Sequence, residues 1–132
     1  MKFNKLIPEL KVSDIKKSLN FYTKIINFKV EYQRKKDNFA FLSFQDSQIM
    51  IEQLNKTWNT GKMKKPFGRG INLQIEVKNI EPILKRLKKY NYPLFEKPKD
   101  RWYRKNKEIL GNREFLVQDP DGYLLRFSQN LE

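Results

Sequence analysis

A chain of 132 residues can bury one hydrophobic core and is too short for two independent ones. Hydrophobic residues at 39% and aromatics at 14% can pack a globule, while 33% charged residues keep its surface polar. With neither cysteine nor histidine present, disulfides, thiolate chemistry and histidine general bases are excluded, and no apolar run approaches the ~20 residues of a membrane span. The net charge of +13 raises the question of nucleic acid. Of the 28 basic residues, however, 21 are lysines spread through every segment, and arginine, the better reader of phosphates and bases, is scarce. Nucleic acid is therefore not the expected partner. The opening Met1 to Lys5 lacks the apolar stretch of a secretory signal, so the expectation is a soluble cytoplasmic protein.

In chain order, Leu6 to Val12 reads as a strand with Pro8, Leu10 and Val12 on one face and Ile7, Glu9 and Lys11 on the other. Ser13 is the expected helix N-cap, with Asp14 in the first turn favoured by the helix dipole. Ile15, Leu19, Tyr22 and Ile26 recur with helical spacing and form one buried stripe. Shorter strands follow near Lys29 to Arg34, Phe39 to Phe44 and Gln48 to Leu54. Asn55 to Gly70, polar and lysine-rich, is either a linker over the surface or a flap.

The opening pattern then repeats. Val12-Ser13-Asp14-Ile15 with Leu19 returns half a chain length later as Val77-Lys78-Asn79-Ile80 with Leu84. Ile71 to Val77 is the second copy's strand, with Leu73, Ile75 and Val77 alternating with Asn72, Gln74 and Glu76. Asn79 caps a helix that carries Pro82 in its first turn and Ile83, Leu84 and Leu87 on its buried side. Strands near Arg101 to Tyr103, Glu114 to Gln118 and Tyr123 to Ser128 complete it. Between the last two, Asp119-Pro120-Asp121-Gly122 suits a type I turn followed by a bulge. The expected architecture is α+β, one domain over residues 1–132: module one 1–54, an inter-module loop 55–70 and module two 71–132, each β-α-β-β-β.

The segments I-P-E-L-K-V-S-D-I-K-K-S (Ile7 to Ser18), D-N-F-A (Asp37 to Ala40) and R-E-F-L-V-Q-D-P-D-G (Arg113 to Gly122) resemble the vicinal-oxygen-chelate superfamily of glyoxalases, extradiol dioxygenases and bleomycin-resistance proteins, and most of all the last. The resemblance implies a curved mixed sheet with helices outside (the glyoxalase/bleomycin resistance fold). In the enzymes a divalent metal sits in the hollow, and the matching positions here are Ile7, Glu52, Asn72 and Arg126. Only Glu52 is a good ligand, and the permanent cation of Arg126 repels a metal, so no metal and no cofactor are expected. A site built from Glu9, Glu52 and Glu76 is the remaining metal option. Glu52 and Arg126 are expected to pair with one another across the hollow.

The resemblance to the drug binders implies a homodimer whose grooves stack flat ligand rings on aromatic side chains. By motif, Tyr32 and Phe39 fall at aromatic groove positions, with core filling as the alternative for both, and Trp102 with Tyr103 matches the tryptophan-rich piece ahead of the R-E-F strand. Glu52, Asn72 and Arg126 complete the candidate ligand-binding set, and no catalytic residue is assigned. Trp58 has no assigned role. The function implied is sequestration of a planar aromatic molecule without turnover; the alternative is a metal-dependent glyoxalase-like lyase or dioxygenase. The drug binders are acidic, which suits cationic ligands, whereas this chain is strongly basic.

Overall fold

The structure, a computed structural model, describes residues 1–132. The chain runs β1 (Glu9–Val12), α1 (Ile15–Leu19) continuing into a π-helical segment (Asn20–Ile26), β2 (Lys29–Arg34), a 3₁₀ turn (Lys35–Asp37), β3 (Phe39–Phe44) and β4 (Ser47–Gln53). After the inter-module segment come β5 (Asn72–Glu76), α2 (Glu81–Lys89), β6 (Glu96–Lys105), β7 (Glu108–Gln118) and β8 (Leu124–Asn130). The expected β-α-β-β-β repeat is present, and its strands fall into two four-stranded sheets of identical order, β1-β4-β3-β2 and β5-β8-β7-β6. In each, the first strand pairs parallel with the last and the other pairings are antiparallel.

Local chemistry differs from expectation at two places in module one. The first strand begins at Glu9, because the residues before it lie across the sheet, where Asn4 meets Gln48 and Asp46. The cap of α1 is Asp14, whose carboxylate accepts from Lys16 N and Lys17 N. Ser13 is drawn away from that role by Asp121: its backbone N–H and its hydroxyl both donate to that carboxylate. In module two Asn79 does accept from Glu81 N at 3.0 Å, and Pro82 sits in the first turn as expected. The π segment brings Phe21, Tyr22, Ile25 and Ile26 inward as adjacent pairs, with Ile15 and Leu19 at the margin.

One cluster of 20 buried side chains draws on both modules. Strand alternation sends Leu10, Val12, Ala40, Leu42, Ile49 and Ile51 into it from the first sheet. Ile75, Val77, Phe115, Val117, Leu125 and Phe127 enter from the second. The modules meet directly: Phe44 packs edge-on against Phe127 at 6.4 Å, and Phe21 lies 4.8 Å from Tyr92. The apolar faces of the two sheets thus share one interior, and the opposite, polar face of each sheet is turned away from it.

Polar contacts lock the modules at the acidic turn. Asp119 accepts from Tyr22 OH at 2.8 Å, and its other oxygen accepts from Asp121 N and Tyr123 N. Tyr123 OH donates to Lys11 O at 2.8 Å. The end of the inter-module segment docks here too, with Phe67 buried edge-on against Tyr123 and its N–H on Asp121 O. Gly122, at φ +99°, is required twice, since an added Cβ would also lie 2.6 Å from the Pro66 backbone. The segment 55–70 is therefore pinned at its C-terminal end.

Candidate functional site

The outward face of the first sheet carries an aromatic cluster. Tyr32, Phe39 and Phe41 project from it because they share strand parity, in the register Tyr32↔Phe41 and Arg34↔Phe39. The Tyr32 and Phe41 rings stack at 5.2 Å with 14° between their planes, and Phe39 lies 6.0 Å from Tyr32. Arg34 covers Phe39 at 3.8 Å, and Phe3 packs edge-on against Phe41 at 5.3 Å. Phe39 is 2% exposed yet stands outside the main core, whereas Tyr32 is 37% exposed. Tyr32 is thus the open ring of a stack whose inner members are covered.

Glu52 stands opposite Phe39 in the adjoining strand. Its carboxylate takes the Lys11 ammonium at 2.5 Å and Asn55 Nδ2 at 3.1 Å. The ammonium reaches two further oxygens, Asn55 Oδ1 at 2.9 Å and Thr57 Oγ1 at 3.2 Å, so all three of its donors are spent. The Lys11 hydrogen bond holds the Glu52 carboxyl below the usual carboxylate range, against the opposing effect of burial.

The outward face of the second sheet is built around a carboxylate that sequence reasoning missed. Glu114, only 2% exposed, accepts from Tyr103 OH at 2.7 Å and has Arg101 Nε at 3.4 Å and Arg126 Nη1 at 3.7 Å. Arg126 also donates to Gln74 Oε1 at 2.8 Å from the neighbouring strand. Burial, followed by the Glu114 carboxylate, pushes the Tyr103 phenol up. A signal for Glu114 existed in the sequence. Phe115 and Val117 point inward, so Glu114 shares a face with Leu116, directly opposite Arg126.

Several expectations change accordingly. Glu52 and Arg126 do not pair: Glu52 is engaged by Lys11 on its own sheet, Arg126 stands 3.7 Å from Glu114 on the other, and no hydrogen bond or ion pair links the two polar faces. Trp102 and Tyr103 do not act together, because adjacent strand residues point to opposite faces. Trp102 lies flat over Gly111 on the reverse side of β6, 63% exposed, while Tyr103 lies on the Arg126 side. Asn72 is exposed at the start of β5, and Ile7 is half-buried ahead of β1.

Comparison with known proteins places this geometry. The model of the glyoxalase/bleomycin resistance protein/dioxygenase superfamily matches residues 6–127. The chain belongs to that superfamily. The bleomycin resistance protein of Geobacillus stearothermophilus is 28% identical over 137 residues, covering 96% of each chain. Among solved structures, TioX from Micromonospora sp. ML1 superposes with a TM-score of 0.73 at 14% identity, covering 98% of this chain and 100% of its own. A virulence protein from Salmonella typhimurium gives 0.69 at 22%, covering 99% and 100%. These two likenesses establish the fold alone.

The residues at the superfamily's metal positions do not fit a divalent ion. Glu52 is engaged by an ammonium, Arg126 is itself a cation, Ile7 offers no donor, and no three acidic side chains converge anywhere. Glu9 and Glu52 lie on one sheet and Glu76 on the other, so these three carboxylates do not converge within one chain.

Proposed function

We propose that this protein is a small-molecule binder of the bleomycin-resistance type, acting in the cytoplasm as a homodimer and holding a planar aromatic ligand without turnover. The observation that carries this is the stacked Tyr32–Phe41 pair with Tyr32 exposed, beside a carboxylate already neutralised by Lys11. A rigid aromatic face offers large contact area at low entropy cost, while a satisfied Glu52 offers no free base for proton transfer. The two half-sites support the homodimer. Tyr32, Phe39 and Glu52 lie on one outward face and Asn72, Tyr103 and Arg126 on the other, so a groove lined by both requires a second copy. The 28% identity to a bleomycin resistance protein over nearly the whole chain supports this ligand type.

Titration with a neutral planar aromatic compound, 1-naphthamide, followed by calorimetry tests the proposal, with the oligomeric state measured by light scattering. The expected result is a saturable dimer binding one ligand per groove, with Tyr32→Ala weakening binding by about threefold to tenfold, the worth of one aromatic stack. A monomer, or binding indifferent to Tyr32→Ala, refutes it. Stoichiometric zinc, nickel, manganese or iron in the purified protein would instead favour the metal-dependent lyase or dioxygenase.

A further inference from the structure

We infer that the polar half of the groove receives an oxyanion carried by the aromatic ligand, and that Arg126 is the group that takes it. The inference rests on the stacking reading above and names the chemical class of its ligand. Charge is the starting point. Glu114 is a single buried carboxylate with guanidinium groups at both of its oxygens, Arg101 at Oε1 and Arg126 at Oε2. Arg101 has a second carboxylate in Glu96 at 2.7 Å, whereas Arg126 has none. One negative charge is therefore divided between two cations, and Arg126 receives the poorer share.

The hydrogen bonds point the same way. Oε1 of Glu114 accepts from Tyr103, and Arg126 makes one hydrogen bond, from Nη2 to Gln74. Its Nε is buried, without an acceptor and out of a ligand's reach. Nη1 stands 3.7 Å from Glu114 Oε2, itself without a hydrogen-bond partner, so the donors left for a ligand are those of the two terminal nitrogens. A guanidinium carries five N–H donors, and a donor left unmet in a buried setting is the costly state. Arg126 is nevertheless held in place, because Gln74 and Glu114 grip it from the strands on either side of β8, with 28% of its side chain open outward. A planar, oriented guanidinium with spare donors is a bidentate receptor for a carboxylate, phosphate or sulfonate.

A cationic group would find no partner here. Glu114 is buried and Glu96 is bound by Arg101 and Lys99. The net charge of +13 acts in the same direction at long range, drawing anions toward the surface and opposing cations. Basic composition and an aromatic stack are then compatible: the rings hold the flat part of the ligand and Arg126 its anionic substituent.

The test uses three probes on the intact protein: 1-naphthoate, its neutral isostere 1-naphthamide, and inorganic phosphate, each titrated by calorimetry against wild type and Arg126→Met. The expected result is naphthoate binding about tenfold to hundredfold tighter than naphthamide in wild type, a preference that Arg126→Met abolishes. The wild-type comparison stands alone should the variant fold poorly. Equal binding of the two ring compounds overturns the oxyanion site and leaves stacking intact. Phosphate binding lost in Arg126→Met, with neither ring compound bound, supports the oxyanion site and retires stacking. Absence of both discrimination and Arg126-dependent phosphate binding overturns the inference.

Discussion

Asp119→Asn should change how the stability of this protein depends on pH. Asp119 is almost fully buried at the junction of the modules, and burial pushes its carboxyl up to about 6 despite hydrogen bonds from Tyr22, Tyr123 and Asp121 that favour the charged form. A carboxyl raised in the folded state stabilises the fold fully below its unfolded value, near 3.8, and that contribution is lost as pH rises through about 6. At about 1.4 kcal/mol per pH unit, the interval is worth about 3 kcal/mol. Asparagine keeps the acceptor for the two backbone N–H groups, and its amide can donate to the Tyr22 hydroxyl in reversed polarity. It cannot ionise. Urea unfolding of wild type and variant at intervals from pH 4 to pH 7 measures the difference in stability. Other carboxylates, Glu31, Glu52, Glu96 and Asp100, are shifted in the opposite sense but are common to both proteins and drop out. Between pH 4 and pH 7 the variant should gain about 2 kcal/mol relative to wild type, the rest of the interval lying below pH 4. Parallel curves would refute the assignment of a raised Asp119.

Gly122→Ala should destabilise by at least about 2 kcal/mol in thermal or chemical unfolding, because the residue holds a positive φ and its Cβ would strike the Pro66 backbone; a cost below about 1 kcal/mol would show that turn and segment can separate freely. Trp102→Ala should leave ligand affinity within about twofold, since a contact on the reverse face contributes little to the groove; loss of calorimetric binding in this variant would return Trp102 to the ligand.

Much of the fold is legible in the residues alone. The repeat of Val12-Ser13-Asp14-Ile15 as Val77-Lys78-Asn79-Ile80 marked two modules, and both sheets adopt the same strand order. The Asp119 to Gly122 turn formed as its residue types require, since Gly122 alone can take the positive φ cheaply. Helix α2 followed its spacing with Ile83 and Leu87 inward. The cap at Ser13 was misjudged because its competitor, Asp121, lies far away in sequence and was invisible to local rules.

The amino-acid order by itself determined composition and which residues on each strand share a face, because these follow from side-chain volume and a period of two. Only the tertiary structure decided what those faces meet. Shared parity cannot say whether two sheets turn their polar sides toward one another or bury their apolar sides together; that depends on packing such as Phe44 on Phe127 and Phe21 on Tyr92. Strand pairing brought Lys11 to Glu52 within the first sheet and Glu114 to Arg126 within the second, and so placed the aromatic cluster and Arg126 on different sheets.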